Sequence, residues 1–137
     1  MAINMYSQAA EDLLCGTAVI ESGLYYLAQT PDPIALSLWQ IEAPTYQYLR
    51  FRVIGLYNIK SAVLSYLNMP TLPEKYDYLA GNLYAACIFA RLKYYFDPNP
   101  IPKTLVGQSA YWSKIYNTKN LTADQTRYVE LYQQAYN

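Results

Sequence analysis

The chain predicts a mainly α-helical fold, a single domain spanning residues 1–137 and built from five to six helices. Three observations carry this. Apolar residues recur at intervals of three and four through most of the chain. The breaks between such stretches are marked by Pro, Gly and Asp-Pro clusters. No pair of alternating runs is joined by an Asn-Gly or Asp-Gly turn, and no repeat period is visible. At 137 residues, 53% hydrophobic and 15% charged, the sequence has the apolar surface for one core and too little charge density for disorder.

The first helix is expected from about Ser7 to Ala28, ending before Pro31, because the segment Thr30-Pro-Asp-Pro33 cannot continue helical hydrogen bonding. Residues 34–45 are apolar but short and mixed. A strand-like crossing and a helical turn both remain open there, with a small β element as one outcome. From about Gln47 to Asn68 the pattern reads as one or two helices, with Gly55 a break and Pro70 to Pro73 a turn. Glu74 to Phe96 is the longest periodic stretch and reads as a buried central helix stopped by Asp97-Pro-Asn-Pro100. Another helix is expected over Thr104 to Tyr116. Thr122, with Gln125 three residues on, predicts a capping box opening a last helix to Ala135.

Composition excludes several chemistries. The chain has no histidine, so neither a Ser-His-Asp nor a Cys-His nucleophile can be assembled, and zinc loses its commonest protein ligand. No metal or cofactor is expected. Cys15 and Cys87 lie in separate apolar, helix-patterned segments and read as buried free thiols. Ten basic and ten acidic residues cancel, without the Lys/Arg cluster that a phosphate backbone requires, so nucleic acid is not an expected partner. The longest apolar runs, such as Leu83–Ala90, fall far short of the ~20 residues of a membrane span. The N-terminal stretch lacks the pattern of a secretory signal. Seventeen tyrosines and two tryptophans supply flat faces and hydroxyls that suit the core, its rim, sugars or protein interfaces.

Carboxylates, lysines and tyrosines remain for acid–base work. Ala10, Leu14, Thr17, Ala18, Glu21, Tyr25 and Ala28 fall on one face of the first helix, which points Glu21 inward. Burial disfavours a carboxylate and keeps its proton near neutral pH, as a general acid for glycosidic cleavage requires; a partly exposed, hydrogen-bonded helix-end acid is the plainer alternative.

Ala18-Val-Ile-Glu-Ser22 followed by Ser37-Leu-Trp-Gln-Ile-Glu-Ala-Pro-Thr45 resembles the lytic transglycosylase and goose-type lysozyme pattern. There a helix ending in Glu-Ser leads through a polar loop to Gly-Leu-Met-Gln-Ile and a Pro and Thr pair. Gln40 stands 19 positions after Glu21, a similar distance. Leu79-Ala-Gly-Asn-Leu-Tyr-Ala-Ala86 is similar to the family's Asn-Ile-x-x-Gly-x-x-Tyr-Leu helix. Tyr111 in Ser109-Ala-Tyr-Trp112 resembles a tyrosine near the family's acid. Small phage lysozyme-like proteins, with a Leu-Trp-Gln-Met-Glu loop and a late Tyr-Trp-x-x-Tyr-Tyr-Asn-Thr segment, are similar too, the latter matching Trp112-Ser-Lys-Ile-Tyr-Asn-Thr118.

The resemblance implies a lysozyme-like domain of the lytic-transglycosylase type that cleaves the glycan strands of peptidoglycan. Glu21 would be its acid and then its base, and Gln40 would hold sugar or backbone near the cleavage point. Ser22 and Thr45 would fix helix end and loop, while Trp39, Tyr84 and Tyr111 would edge the groove. Glu42 is an additional carboxylate in the loop, read first as a surface acid. Ser37 stands where the family has glycine, a departure expected to hinder a turn that wants positive φ or a close sugar approach, and Ala43-Pro44-Thr45 inverts the usual Pro-Ala-Thr order. Asp32 reads as a turn residue, with a second-carboxylate role as the alternative. The phage resemblance implies residence in a virion beside other virion proteins, and its rival reading is a catalytically eroded structural component of the particle.

Overall fold

A computed structural model describes residues 4–28 and 35–137. It is mainly helical, with seven α-helices, a two-stranded sheet and one π-helical turn among the described residues.

Helix α1 spans Gln8–Ser22. Ser7 caps it, its hydroxyl accepting from the Ala10 N–H at 3.1 Å. The helix stops six residues short of the expected Ala28, because Gly23 takes the left-handed conformation (φ +63°) and turns its N–H onto the Val19 carbonyl. Strands β1 (Ala35–Leu36) and β2 (Ile41–Glu42) pair antiparallel, Ala35 opposite Glu42, around the turn Ser37–Gln40. This is the small β element left open by residues 34–45.

Helix α2 (Ala43–Gly55) follows directly, with Pro44 in its first turn, where its missing N–H costs no hydrogen bond. Helix α3 (Tyr57–Leu67) begins beyond the break at Gly55 and ends at Asn68 with φ +52°. The expected single helix over Glu74–Phe96 is two: α4 (Tyr78–Gly81) and α5 (Leu83–Tyr95). Asn82 separates them by adopting extended backbone while its side chain accepts from the Ala85 N–H at 3.0 Å, so a capping residue inside an apolar period restarts the helix.

Helix α6 (Leu105–Trp112) is capped by Thr104 and runs into the π-helical turn Ser113–Asn117. Helix α7 covers Thr122–Tyr136. The expected Thr122–Gln125 capping box does not form. Leu121 holds the cap position, and the Gln125 amide donates instead to Asn120 at 3.4 Å. The breaks at Gly55 and Asn82 account for seven helices in place of five to six.

The core is centred on α5, whose Ala85, Ala86, Phe89, Ala90 and Leu92 are fully buried. Tyrosines fill much of the rest. Tyr94 stacks on Tyr111 with ring centres 5.6 Å apart and lies 5.3 Å from Tyr116, and Tyr46 packs on Phe89 at 4.7 Å. The hydroxyls of the buried Tyr46, Tyr94, Tyr111, Tyr116 and Tyr128 are partnered. Thr17 gives its one proton to the Leu13 carbonyl, leaving its oxygen to accept from Tyr94 at 2.7 Å. Helix α7 lies along α1, with Tyr128 seated over Gly16 and donating to the Leu13 carbonyl at 3.3 Å; a Cβ on Gly16 would run into that hydroxyl. Cys15 and Cys87 are free and only half-buried, a correction to their expected full burial.

Candidate functional site

A cleft of about 580 Å³ opens at the C-terminal end of α1. Glu21 lies at this end. The β-hairpin and the start of α2 contribute Gln40, Glu42 and Thr45. Lys93 of α5 and Tyr116 through Lys119, in and after the π turn, contribute the rest. Residues distant in sequence are thus brought together by the way α1 ends, by the tight hairpin, and by the π turn that widens the last coil after α6.

Glu21 is partly exposed. Its Oε1 accepts from the indole Nε1 of Trp112 at 3.1 Å. Burial pushes its pKa above the ordinary carboxylate range, and this outweighs the Trp112 hydrogen bond and the nearby Lys93 and Lys119 ammoniums, which act downward. Lys93 shows the mirror effect. Burial lowers its pKa, while Glu21 and Glu42 act to raise it. Its Nζ is fixed by a 2.8 Å hydrogen bond to the Tyr116 carbonyl and sits 4.0 Å above the Tyr116 ring. The cleft therefore holds two carboxylates, Glu21 and Glu42, and two ammoniums, Lys119 and the anchored Lys93.

The turn Ser37–Gln40 is under backbone strain. Ser37 is fully buried with φ +73°, and Gln40 has φ +50°. Ser37 adopts this glycine-like conformation although serine in place of the glycine that the resemblance implies was expected to hinder such a turn; it is held by its N–H to the Leu27 carbonyl at 2.7 Å and by its Oγ accepting from the Trp39 N–H at 3.2 Å. The Gln40 side chain folds back, its Nε2 donating to the Ser37 carbonyl at 2.8 Å. The turn is locked to the far wall by the Tyr116 hydroxyl, which donates to the Trp39 carbonyl at 2.6 Å.

Of the residues singled out from the sequence, Glu21, Gln40, Glu42 and Thr45 come together in this cleft. Ser22 does not line it. It is buried, donates to the Ala18 carbonyl at 2.9 Å and accepts from the Leu24 N–H at 3.3 Å, fixing the helix end as expected. Trp39 and Tyr84 are found elsewhere. Both border a separate, mostly apolar pocket of about 370 Å³ between α1, α3 and α5, with the Trp39 Nε1 donating to the Leu14 carbonyl at 2.9 Å. Tyr111 is buried, stacked on Tyr94, its hydroxyl donating to Asp97 at 2.8 Å. These three aromatics therefore do not edge the Glu21 cleft: Trp39 is turned away by its bond to α1, Tyr84 projects from the first turn of α5, and Tyr111 points to the loop after α5. Asp32 lies outside the described residues.

Trp112, Lys93 and Tyr116 were not singled out as site residues. For Trp112 and Tyr116 a signal existed, since both belong to the Trp112–Thr118 segment of the phage resemblance. Lys93, one of two cations with Arg91 in the otherwise uncharged α5, gave none. Among the described residues no group of three or more Cys, Asp or Glu side chains is placed to hold a metal ion. Comparison of the chain with protein-family models, with curated proteins and with solved structures gives no match.

Proposed function

We propose that the protein cleaves the β-linked glycan strands of peptidoglycan, with Glu21 as general acid and then general base. The observation that carries this reading is the environment of Glu21: a carboxyl at a helix end, raised in pKa by burial, steadied by the Trp112 indole, and open to a cleft of a size for sugar rings. The resemblance around Ala18–Ser22 and Ser37–Thr45 supports the same reading and a lysozyme-like fold of the lytic-transglycosylase type.

In this reading the protonated Glu21 donates to the leaving glycosidic oxygen. Gln40, its side-chain carbonyl left free by the bond through Nε2, accepts from a sugar amide or hydroxyl. If Glu21 is the sole participating carboxylate, the ionised side chain then takes the proton of the substrate's own hydroxyl as an anhydro ring closes. Glu42, on the hairpin wall, supplies a second carboxylate for a route in which water attacks instead. The phage resemblance supports delivery on a virion.

A second reading is favoured by one observation. Trp39, Tyr84 and Tyr111, the aromatics expected at the sugar groove, are committed elsewhere, as in a lysozyme-like domain retained as a structural component of a particle. Mass spectrometry of fragments released from purified peptidoglycan by wild type and by Glu21→Gln separates the readings. Anhydro-ended fragments from wild type alone establish the transglycosylase; reducing ends implicate a second carboxylate. No release by folded wild type leaves the structural reading.

A further inference from the structure

Between Ala43 and Pro73 the chain carries Arg50, Arg52 and Lys60 and no acidic residue. This stretch forms α2 and α3, which bury Tyr46, Leu49, Val53 and Val63 on their inner sides. They meet at a corner where Ile54, Gly55, Leu56 and Tyr57 are all exposed. Tyr57 is 82% exposed and Phe51, one turn before the corner, 77%. Two large side chains so exposed, beside the partly exposed Ile54 and Leu56 at one corner, mark a surface that another phase or molecule covers.

One cation, Lys60, sits beside this tip, and a second, Arg52, is held one turn back. Lys60 is exposed one turn beyond Tyr57. Arg52 donates to the Tyr48 hydroxyl at 2.8 Å and holds its guanidinium 4.4 Å from the centre of the Phe96 ring. Asp97 lies in the neighbouring groove with Tyr48 and Phe96, but its carboxylate accepts from Tyr111. The chain as a whole is neutral, so this positive face is balanced elsewhere, in part by Glu11, Asp12, Asp124 and Glu130 on α1 and α7.

We propose that the α2–α3 corner docks on an anionic phospholipid surface, with Phe51, Ile54, Leu56 and Tyr57 entering the headgroup–acyl boundary and Arg52 and Lys60 facing lipid phosphates. Tyrosine and phenylalanine suit that boundary, and flanking cations add attraction to anionic headgroups. A two-fold contact with a second copy would instead bring the same cations together. No helix among the described residues is long and apolar enough to cross a membrane, so the attachment is peripheral.

Flotation of the full chain with vesicles tests this. Vesicles containing about one quarter phosphatidylglycerol should carry the protein at low salt, pure phosphatidylcholine vesicles should not, and salt near 0.5 M should release it. Lys60→Gln should weaken partitioning about fivefold, and Phe51→Ser with Tyr57→Ser at least about tenfold. All three positions are exposed, and an unchanged circular dichroism spectrum confirms that the variants are folded. No flotation with the anionic vesicles, or variants that float like wild type, overturns the proposal. So does self-association in sedimentation velocity that Phe51→Ser abolishes, which would assign the corner to a second copy.

Discussion

At the scale of single residues, Glu21 and Trp112 report on each other. The chain has two tryptophans, and their indole N–H groups end on different acceptors, Trp112 on the Glu21 carboxyl and Trp39 on the Leu14 carbonyl. In a nitrogen-15 spectrum the Trp112 indole signal should therefore titrate with a midpoint above the ordinary glutamate value of about 4.3, while the Trp39 signal stays flat. Glu21→Gln should abolish the titration. The sign of the stability effect follows. A raised folded-state pKa means the native state holds the proton more tightly than the unfolded chain, so its contribution is fully present below the unfolded pKa and lost as pH rises through the folded one. Glu21→Gln should thus raise Tm relative to wild type at pH 8 and lose that advantage by about pH 3. Equal Tm differences at both pH values would contradict the burial of the charge.

Ser37 is the other residue whose chemistry is set by backbone. Held at φ +73° and fully buried, it tolerates glycine but not a β-branched side chain. Ser37→Gly trades relief of strain against loss of the Oγ acceptor for the Trp39 N–H and should change stability by less than about 1 kcal/mol. Ser37→Val should cost about 2–3 kcal/mol in urea unfolding. If valine is as well tolerated as glycine, the turn is not held in the left-handed region.

At the scale of elements, the α1–α7 pair depends on the absence of one methyl group. Tyr128 occupies the space above Gly16, so Gly16→Ala, favourable for an isolated helix, should destabilise the protein by about 1–3 kcal/mol through overpacking. Because the hydroxyl, Cζ and Cε1 of Tyr128 all lie within 3.0 Å of the added Cβ, adding the shorter Tyr128→Leu should recover part of that loss although Tyr128→Leu alone removes a hydrogen bond and a buried ring. Additive losses in the double variant would mean that α7 is seated differently. The element boundaries show how local chemistry competes with period. The start of α1 near Ser7 and the Gly55 break were legible in sequence because each rests on its own neighbours. Asn82 was not, since its split of α4 from α5 needs the side chain to cap rather than to continue an apolar pattern that its neighbours sustain.

At the scale of the whole molecule, Tyr116 ties the catalytic candidate to the rest of the fold. Its hydroxyl reaches the hairpin at Trp39, its carbonyl holds Lys93, and its ring lies under that ammonium. Tyr116→Phe keeps the ring and the carbonyl and removes only the link across the cleft. It should cost about 1–2 kcal/mol and speed amide exchange in residues 35–42 more than in α1. Uniform exchange changes would show that the hydroxyl is not what closes the cleft.

The helical class, the start of the first helix with its acid, and the open choice over residues 34–45 were all legible in sequence. Each rests on a short-range cause: apolar spacing, capping groups, or φ preference within a few residues. Glu21, Gln40, Glu42 and Thr45 were grouped through the resemblance around Ala18–Ser22 and Ser37–Thr45, and they lie within 25 residues of one another. Only tertiary structure decided the other side of the cleft. Lys93, Trp112 and Tyr116 arrive there from α5, α6 and the π turn through packing against α1, and no local pattern specifies which side of a buried helix meets which partner. The same packing drew Trp39, Tyr84 and Tyr111 away, because an aromatic ring goes where the core or a hydrogen-bond acceptor receives it, and that is settled by contacts distant in the chain.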